Sequence, residues 1–230
     1  MDLRIISIGC LDAHPLWDER AAARTGHATT TLVRLGQMTL LVDPGLPATI
    51  LEARLAERAN LKPTDITHVF LTSFRPDVRR GLPLFDGAMW WISQPEREGV
   101  GVPLIDAIKR AGEGGDHKLE ELLRQDVDLL QRCEAAPDRL VRAAGTRVDL
   151  FPLPGVTPGL TGLIVAEPSR TTVIAGDAIP TVEHLEKGQV LRNAVDGAQA
   201  QESFKEVLEI ADLIVPGRDN ILVNPVRRPF

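Results

Sequence analysis

Short runs of β-branched and aliphatic residues, each cut off by a turn residue, recur along this chain and set the terms on which it can fold. Residues 29–45 (TTTLVRLGQMTLLVDPG) hold two such runs joined at Gly36-Gln37 and closed by Pro44-Gly45, a pattern that predicts two adjacent strands. Residues 3–8, 66–71, 89–92, 148–153, 160–166, 171–175, 213–215 and 221–223 have the same character. Helical patterns lie between them. Residues 47–59 place Ile50, Leu51, Leu55 and Ala59 near one face, ahead of Pro63. Residues 103–132 carry Leu119, Leu122, Leu123, Val127 and Leu130 at the helical period, with Gly112, Gly114 and Gly115 marking off a shorter helix before them. A last amphipathic helix holds Phe204, Val207, Leu208 and Ala211. The order predicts one α/β domain over residues 1–230, made of two β-rich halves with helices on their outer faces and one shared core.

Charge narrows the partners. The chain has 230 residues with 32 acidic against 26 basic side chains, a net charge of -6, and lacks the basic excess that reading nucleic-acid phosphates requires. Arg75, Arg79 and Arg80, and Arg227 with Arg228, read as solvated faces. Cys10 and Cys133 are too few for a disulfide framework and suit a reducing compartment. The opening MDLRIISIG has an early acid and an apolar run too short for a signal peptide, and no stretch approaches the roughly 18 apolar residues of a membrane span. The expectation is a cytoplasmic protein without nucleic-acid or membrane partners.

Five segments, in order, carry a more specific signal: TLLVDPG (39–45), ITHVFLTSFRPDVRRGLPLF (66–85), LFPLPGVTPGLTGLIV (150–165), VIAGDAI (173–179) and IVPGRDN (214–220). Together they resemble the metallo-β-lactamase superfamily. The first is similar to its strand ending in an Asp-x-Gly turn, the second to the strand and His-x-His-x-Asp-His loop, the third to the Pro-Gly-His-Thr-Pro-Gly segment. The last two resemble the segments of the bridging aspartate and the final histidine. The resemblance implies a four-layer αββα sandwich with its site at one edge of the two sheets. It also implies a hydrolase of ester, lactone, thioester, lactam or phosphoester substrates that uses metal-bound hydroxide.

Position by position, the implied ligands are missing. The three loop histidines correspond to Ser73, Arg75 and Val78, the Pro-Gly-His histidine to Val156 and the final histidine to Arg218; Asp77 and the bridging Asp177 are kept. Zinc needs lone-pair donors, which valine lacks and a protonated guanidinium does not offer. Zinc is therefore not expected despite the resemblance. Two carboxylates without a metal need other cations, and Arg75 and Arg218 are placed to supply them. The expected site is thus a vestigial pocket of Ser73, Arg75, Asp77, Val78, Val156, Asp177 and Arg218, in a non-catalytic pseudo-hydrolase that binds a small anionic molecule or a protein partner.

The residues alone leave other readings open. Asp77 equally suits a brace for its own loop, Asp177 a turn after a strand, and Arg75 and Arg218 exposed loop positions. Val78 and Val156 fill the space of the missing imidazoles. The rival function is an active ester, lactone or thioester hydrolase using an unconventional metal site or metal-free acid–base residues. Its raw material would be His14, His27 or His184 near the pocket mouth with Asp77 or Asp177. His68 reads as packed in its strand and His117 as exposed; Cys10 reads as an inert thiol that could face the site. Of Trp90 and Trp91, one is expected in the core and one at the surface, where it or the tail VNPVRRPF could form a homo-oligomer contact.

Overall fold

The computed structural model describes residues 1–227. Its elements are β1 (Asp2–Ser7), β2 (Thr30–Leu35), β3 (Met38–Val42), α1 (Ala48–Ala59), β4 (His68–Leu71), α2 (Pro76–Arg79), β5 (Met89–Ile92), α3 (Gln94–Glu113), α4 (His117–Arg132), β6 (Glu134–Ala135), β7 (Arg139–Ala143), β8 (Thr146–Pro152), β9 (Thr161–Glu167), β10 (Arg170–Gly176), α5 (Val182–Lys187), α6 (Gly197–Ile210), β11 (Leu213–Pro216) and β12 (Leu222–Val223). The strands form two six-stranded sheets, ordered β1-β2-β3-β4-β5-β6 and β12-β11-β10-β9-β8-β7. β3 to β6 run parallel, as do β10 and β11.

Alternation along each buried strand builds the layers. In β3, Leu40 and Val42 face the second sheet while Leu41 faces the helices; in β4 Phe70 faces inward and Val69 and Leu71 outward. In β10, Ile174 joins the inter-sheet cluster, and Val173 and Ala175 pack under the helices on the other side. The apolar interior is therefore three clusters, one between the sheets and one on each outer face, and not one shared core. Four layers, helix–sheet–sheet–helix, follow directly.

Several expectations shift. Trp90 and Trp91 do lie on opposite faces, but both are buried, because both faces of β5 are covered. The exposed tryptophan is Trp17. Helix α3 spans 20 residues and is longer than the 16-residue α4, running straight through Pro103. Its start is fixed by Ser93, whose Oγ accepts from Glu96 N. Leu119 and Leu122 of α4 are exposed, as is Ile50 of α1, whose buried face is Leu51 and Leu55. Arg79 is not solvated: it is buried, pairs with Asp126 at 2.6 Å and lies 4.3 Å over the Phe74 ring. Arg227 is exposed; Arg228 and the end of the VNPVRRPF tail lie outside the described residues. Among the described residues no helix is long and apolar enough to cross a membrane.

Candidate functional site

Parallel strands collect their C-terminal ends at one edge of a sheet, and here two sheets bring such edges together. Asp43 follows β3, Thr72 to Asp77 follow β4, Asp177 follows β10 and Arg218 follows β11. The turns after β10 and β11 approach closely enough to exclude side chains: a Cβ on Gly217 would lie 2.7 Å from the Gly176 carbonyl carbon, and one on Gly176 would lie 2.7 Å from Thr72 Oγ1. Gly176 also takes a φ of 54°, the left-handed region that glycine adopts freely. Backbone bonds from Gly217 N to Ile179 O at 2.9 Å and from Arg218 N to Pro180 O at 2.8 Å then hold Arg218 across Asp177.

Arg218 grips both retained aspartates. Its Nε donates to Asp177 Oδ1 at 2.8 Å and its Nη2 to Asp177 Oδ2 at 2.7 Å, while Nη1 donates to Asp77 Oδ2 at 2.6 Å. The first two bonds are the parallel fork that suits guanidinium and carboxylate. Arg75 completes the cluster more loosely, with Nε 3.6 Å from Asp77 Oδ1 and Nη1 3.5 Å from Asp177 Oδ2. Burial alone would raise Asp177, but the charge and hydrogen bonds of Arg218, helped by Arg75, outweigh it and hold the carboxyl below its ordinary range. Burial likewise pulls Arg218 down, and Asp177 with Asp77 overcomes this and raises it. The cluster is two anions matched by two cations.

The remaining sequence-chosen residues do not join this network. Ser73 is buried with its Oγ unpartnered among the described residues. Val78 packs in the cluster beneath α1 and α2, and Val156 in the one beneath α6. The carboxylate of Asp77 takes its hydrogen bond from Arg218, not from its own loop. Zinc, which the resemblance implies, does not fit this donor set: two aspartates remain, and both are held by a guanidinium. Among the described residues no group of three His, Cys, Asp or Glu side chains could hold a metal ion. Among the described residues no histidine nitrogen hydrogen-bonds to Asp77 or Asp177, whose hydrogen bonds come from Arg218.

Three supports escaped the sequence reading. Asp43, with φ of 53°, accepts from Thr72 N at 2.8 Å and from Thr72 Oγ1 at 2.7 Å. Burial, only partly offset by those two bonds, pushes its carboxyl up to about 7. Glu96, wholly buried, accepts from Phe74 N at 2.9 Å, Thr157 Oγ1 at 2.7 Å and Gly159 N at 3.0 Å, clasping the loop after β4 to the loop before β9. Beside Arg218 a cavity of about 360 Å3 is lined by Cys10, His14, Trp17, Arg24, Thr181 and Glu183, among others. His14 stacks on Trp17 at 4.1 Å, and its Nε2 lies 3.2 Å from both Thr181 Oγ1 and Glu183 Oε2. His184 is the buried fifth member, 2.9 Å from Thr181 Oγ1 through Nδ1, and burial with the neighbouring His14 lowers it to about 4. The Asp-Pro-Gly turn marks Asp43 in advance, and His14, His184 and Cys10 are expected near the pocket mouth; the Glu96 clasp depends on partners far apart in sequence.

No family model and no curated protein matches the sequence. Solved structures do match. A Thermotoga maritima protein assigned as a metallo-beta-lactamase superposes with a TM-score of 0.67 at 18% identity, covering 96% of this chain and 98% of that one. A hydrolase of the beta lactamase superfamily, AbOPH, gives 0.62 at 17% identity over 88% and 81%. AidC, a dizinc quorum-quenching lactonase, gives 0.60 at 20% identity over 79% and 67%. The architecture of this chain is the metallo-β-lactamase fold.

Proposed function

We propose that this is a metal-independent protein of the metallo-β-lactamase fold, a pseudo-hydrolase with respect to zinc chemistry, whose remaining task is to bind a small anionic molecule. One observation carries the reading: the Arg218 guanidinium bridges Asp177 and Asp77, the two carboxylates that the resemblance assigns to metal. The anion would sit in the adjoining cavity. Its acids are engaged within the protein, since Glu183 receives Trp17 Nε1 at 3.1 Å and Thr181 Oγ1 at 2.7 Å, and Asp219 receives Val182 N at 3.1 Å. One cation keeps capacity: Arg24 is partly exposed with donors beyond its bonds to Glu19 and Leu11 O.

A thermal-shift panel of small carboxylates and phosphates tests this, because a ligand that binds only the folded state raises the melting temperature. At least one anion should stabilise the protein, and Arg24→Ala should weaken its binding about tenfold, with ordinary folding retained. Ester or lactone hydrolysis that appears with added zinc and vanishes in Asp177→Ala would refute the proposal.

A further inference from the structure

We infer that Cys10 and His27 form a thiol–imidazole pair that accepts an acyl group from a thioester or reactive ester bound in the cavity beside Arg218. The inference rests on the preceding reading only in taking that cavity to admit a small ligand.

The backbone makes the pair. Cys10 and His27 exchange both hydrogen bonds of an antiparallel bridge, N to O at 3.0 Å in each direction. Residues opposed in this way project their side chains to the same face. Gly9 permits the approach, because a Cβ there would lie 2.6 Å from His27 O. The result is a Cys10 Sγ to His27 Nδ1 distance of 3.6 Å, within the sulfur hydrogen-bond range.

The imidazole is held for proton transfer. The tautomer with its proton on Nε2 donates to Ile8 O at 3.2 Å and leaves Nδ1 to accept from the thiol. When Nδ1 takes the proton, the new N–H finds Thr25 O at 3.3 Å. An imidazolium here thus has an acceptor at each nitrogen. Cys10 is half-buried and lines the cavity together with Arg24 and Arg218. His14, 3% exposed, lines the same cavity, and its Nδ1 is buried without a partner among the described residues.

The step balances with these groups. The thiol proton passes from Sγ to Nδ1, and Sγ forms a bond to the acyl carbon. The leaving thiolate or alkoxide departs with the bonding pair and takes the proton from His27. Water then adds to the Cys10 thioester, releasing the carboxylic acid and restoring the thiol. Thioesters and reactive esters are the fitting class, since their leaving groups need little protonation and His27 is the one acid next to Sγ in the pair.

Cys133 serves as the internal control, because it is fully buried and burial pushes its thiol up to about 11. The test treats the full chain with 4-nitrophenyl acetate at neutral pH in buffer containing a chelator. Nitrophenolate release and the acetylated peptide in acid-quenched samples are read together. The expected result is Cys10-dependent release, with acetyl on Cys10 and none on Cys133, at least ~10-fold faster than for the urea-unfolded chain. His27→Gln should slow it ~100-fold, and Cys10→Ser should abolish it. If His27→Gln fails to fold, the native-against-unfolded comparison decides alone. An unmodified Cys10 without Cys10-dependent release, or a native rate no faster than the unfolded one, overturns the inference. Zinc in the purified protein would instead overturn the preceding proposal, and the chelated assay would still judge this one.

Discussion

Arg218 and Asp177 meet through two parallel hydrogen bonds of 2.8 and 2.7 Å, with the arginine side chain wholly buried and the aspartate 2% exposed. A buried pair of this kind contributes little net stability over an apolar substitute, yet removing one partner strands the other charge. Arg218→Met should therefore destabilise the fold by about 3–5 kcal/mol, because Asp177 is left buried with only the longer contact to Arg75. Arg75 is partly exposed and its contacts are 3.5–3.6 Å. Arg75→Ala should cost at most about 1 kcal/mol. Urea denaturation of the two variants checks the contrast; equal costs would show that the two arginines share the load.

Asp43 and Asp177 impose opposite pH dependences. Asp177 is held below its ordinary value, so its contribution is present above the unfolded pKa and is lost as pH falls through the folded one. Asp43 is raised from 3.8 to about 7, so its contribution is full below the unfolded value and is lost as pH rises through the folded one. The wild type should lose stability between pH 5 and pH 8 by an amount on the order of 1–3 kcal/mol relative to Asp43→Asn. An amide at 43 does not titrate and can still bond Thr72. Parallel stability–pH curves for the two proteins would contradict this assignment.

Glu96 ties the loop after β4 to the loop before β9. Glu96→Ala strands Phe74 N, Gly159 N and the Thr157 hydroxyl, and should cost about 2–4 kcal/mol. Hydrogen exchange at Phe74 and Gly159 should accelerate more than exchange in β9 and β10. Uniform acceleration across the chain would mean that the residue supports the fold as a whole and not this clasp.

Much of this geometry was legible before folding, for an identifiable reason. Strands that end in Asp-Pro-Gly, Pro-Gly and Gly-Asp turns announce where backbone leaves a sheet, and the chemistry at those exits is set by the next few residues. Asp43, Asp177 and Arg218 stand at such exits, and Asp77 lies on the loop that follows β4. What stayed hidden depends on register between distant segments. Asp43 meets Thr72 across 29 positions and Cys10 meets His27 across 17, and neither spacing forms a local motif. Glu96 fell outside the helical pattern read from residue 103, because Pro103 masks a helix that begins at Gln94. The two tryptophans misled for a similar reason, since alternation states which faces they take but not whether both faces are covered.

Metal content is the direct test of the central claim that a guanidinium stands between the two carboxylates in place of a metal. Protein purified without chelator and then dialysed against zinc should carry well under one equivalent of any transition metal by elemental analysis, in wild type and in Asp77→Ala alike. Near-stoichiometric zinc, manganese or iron in the wild type, lost in Asp77→Ala and Asp177→Ala, would contradict it.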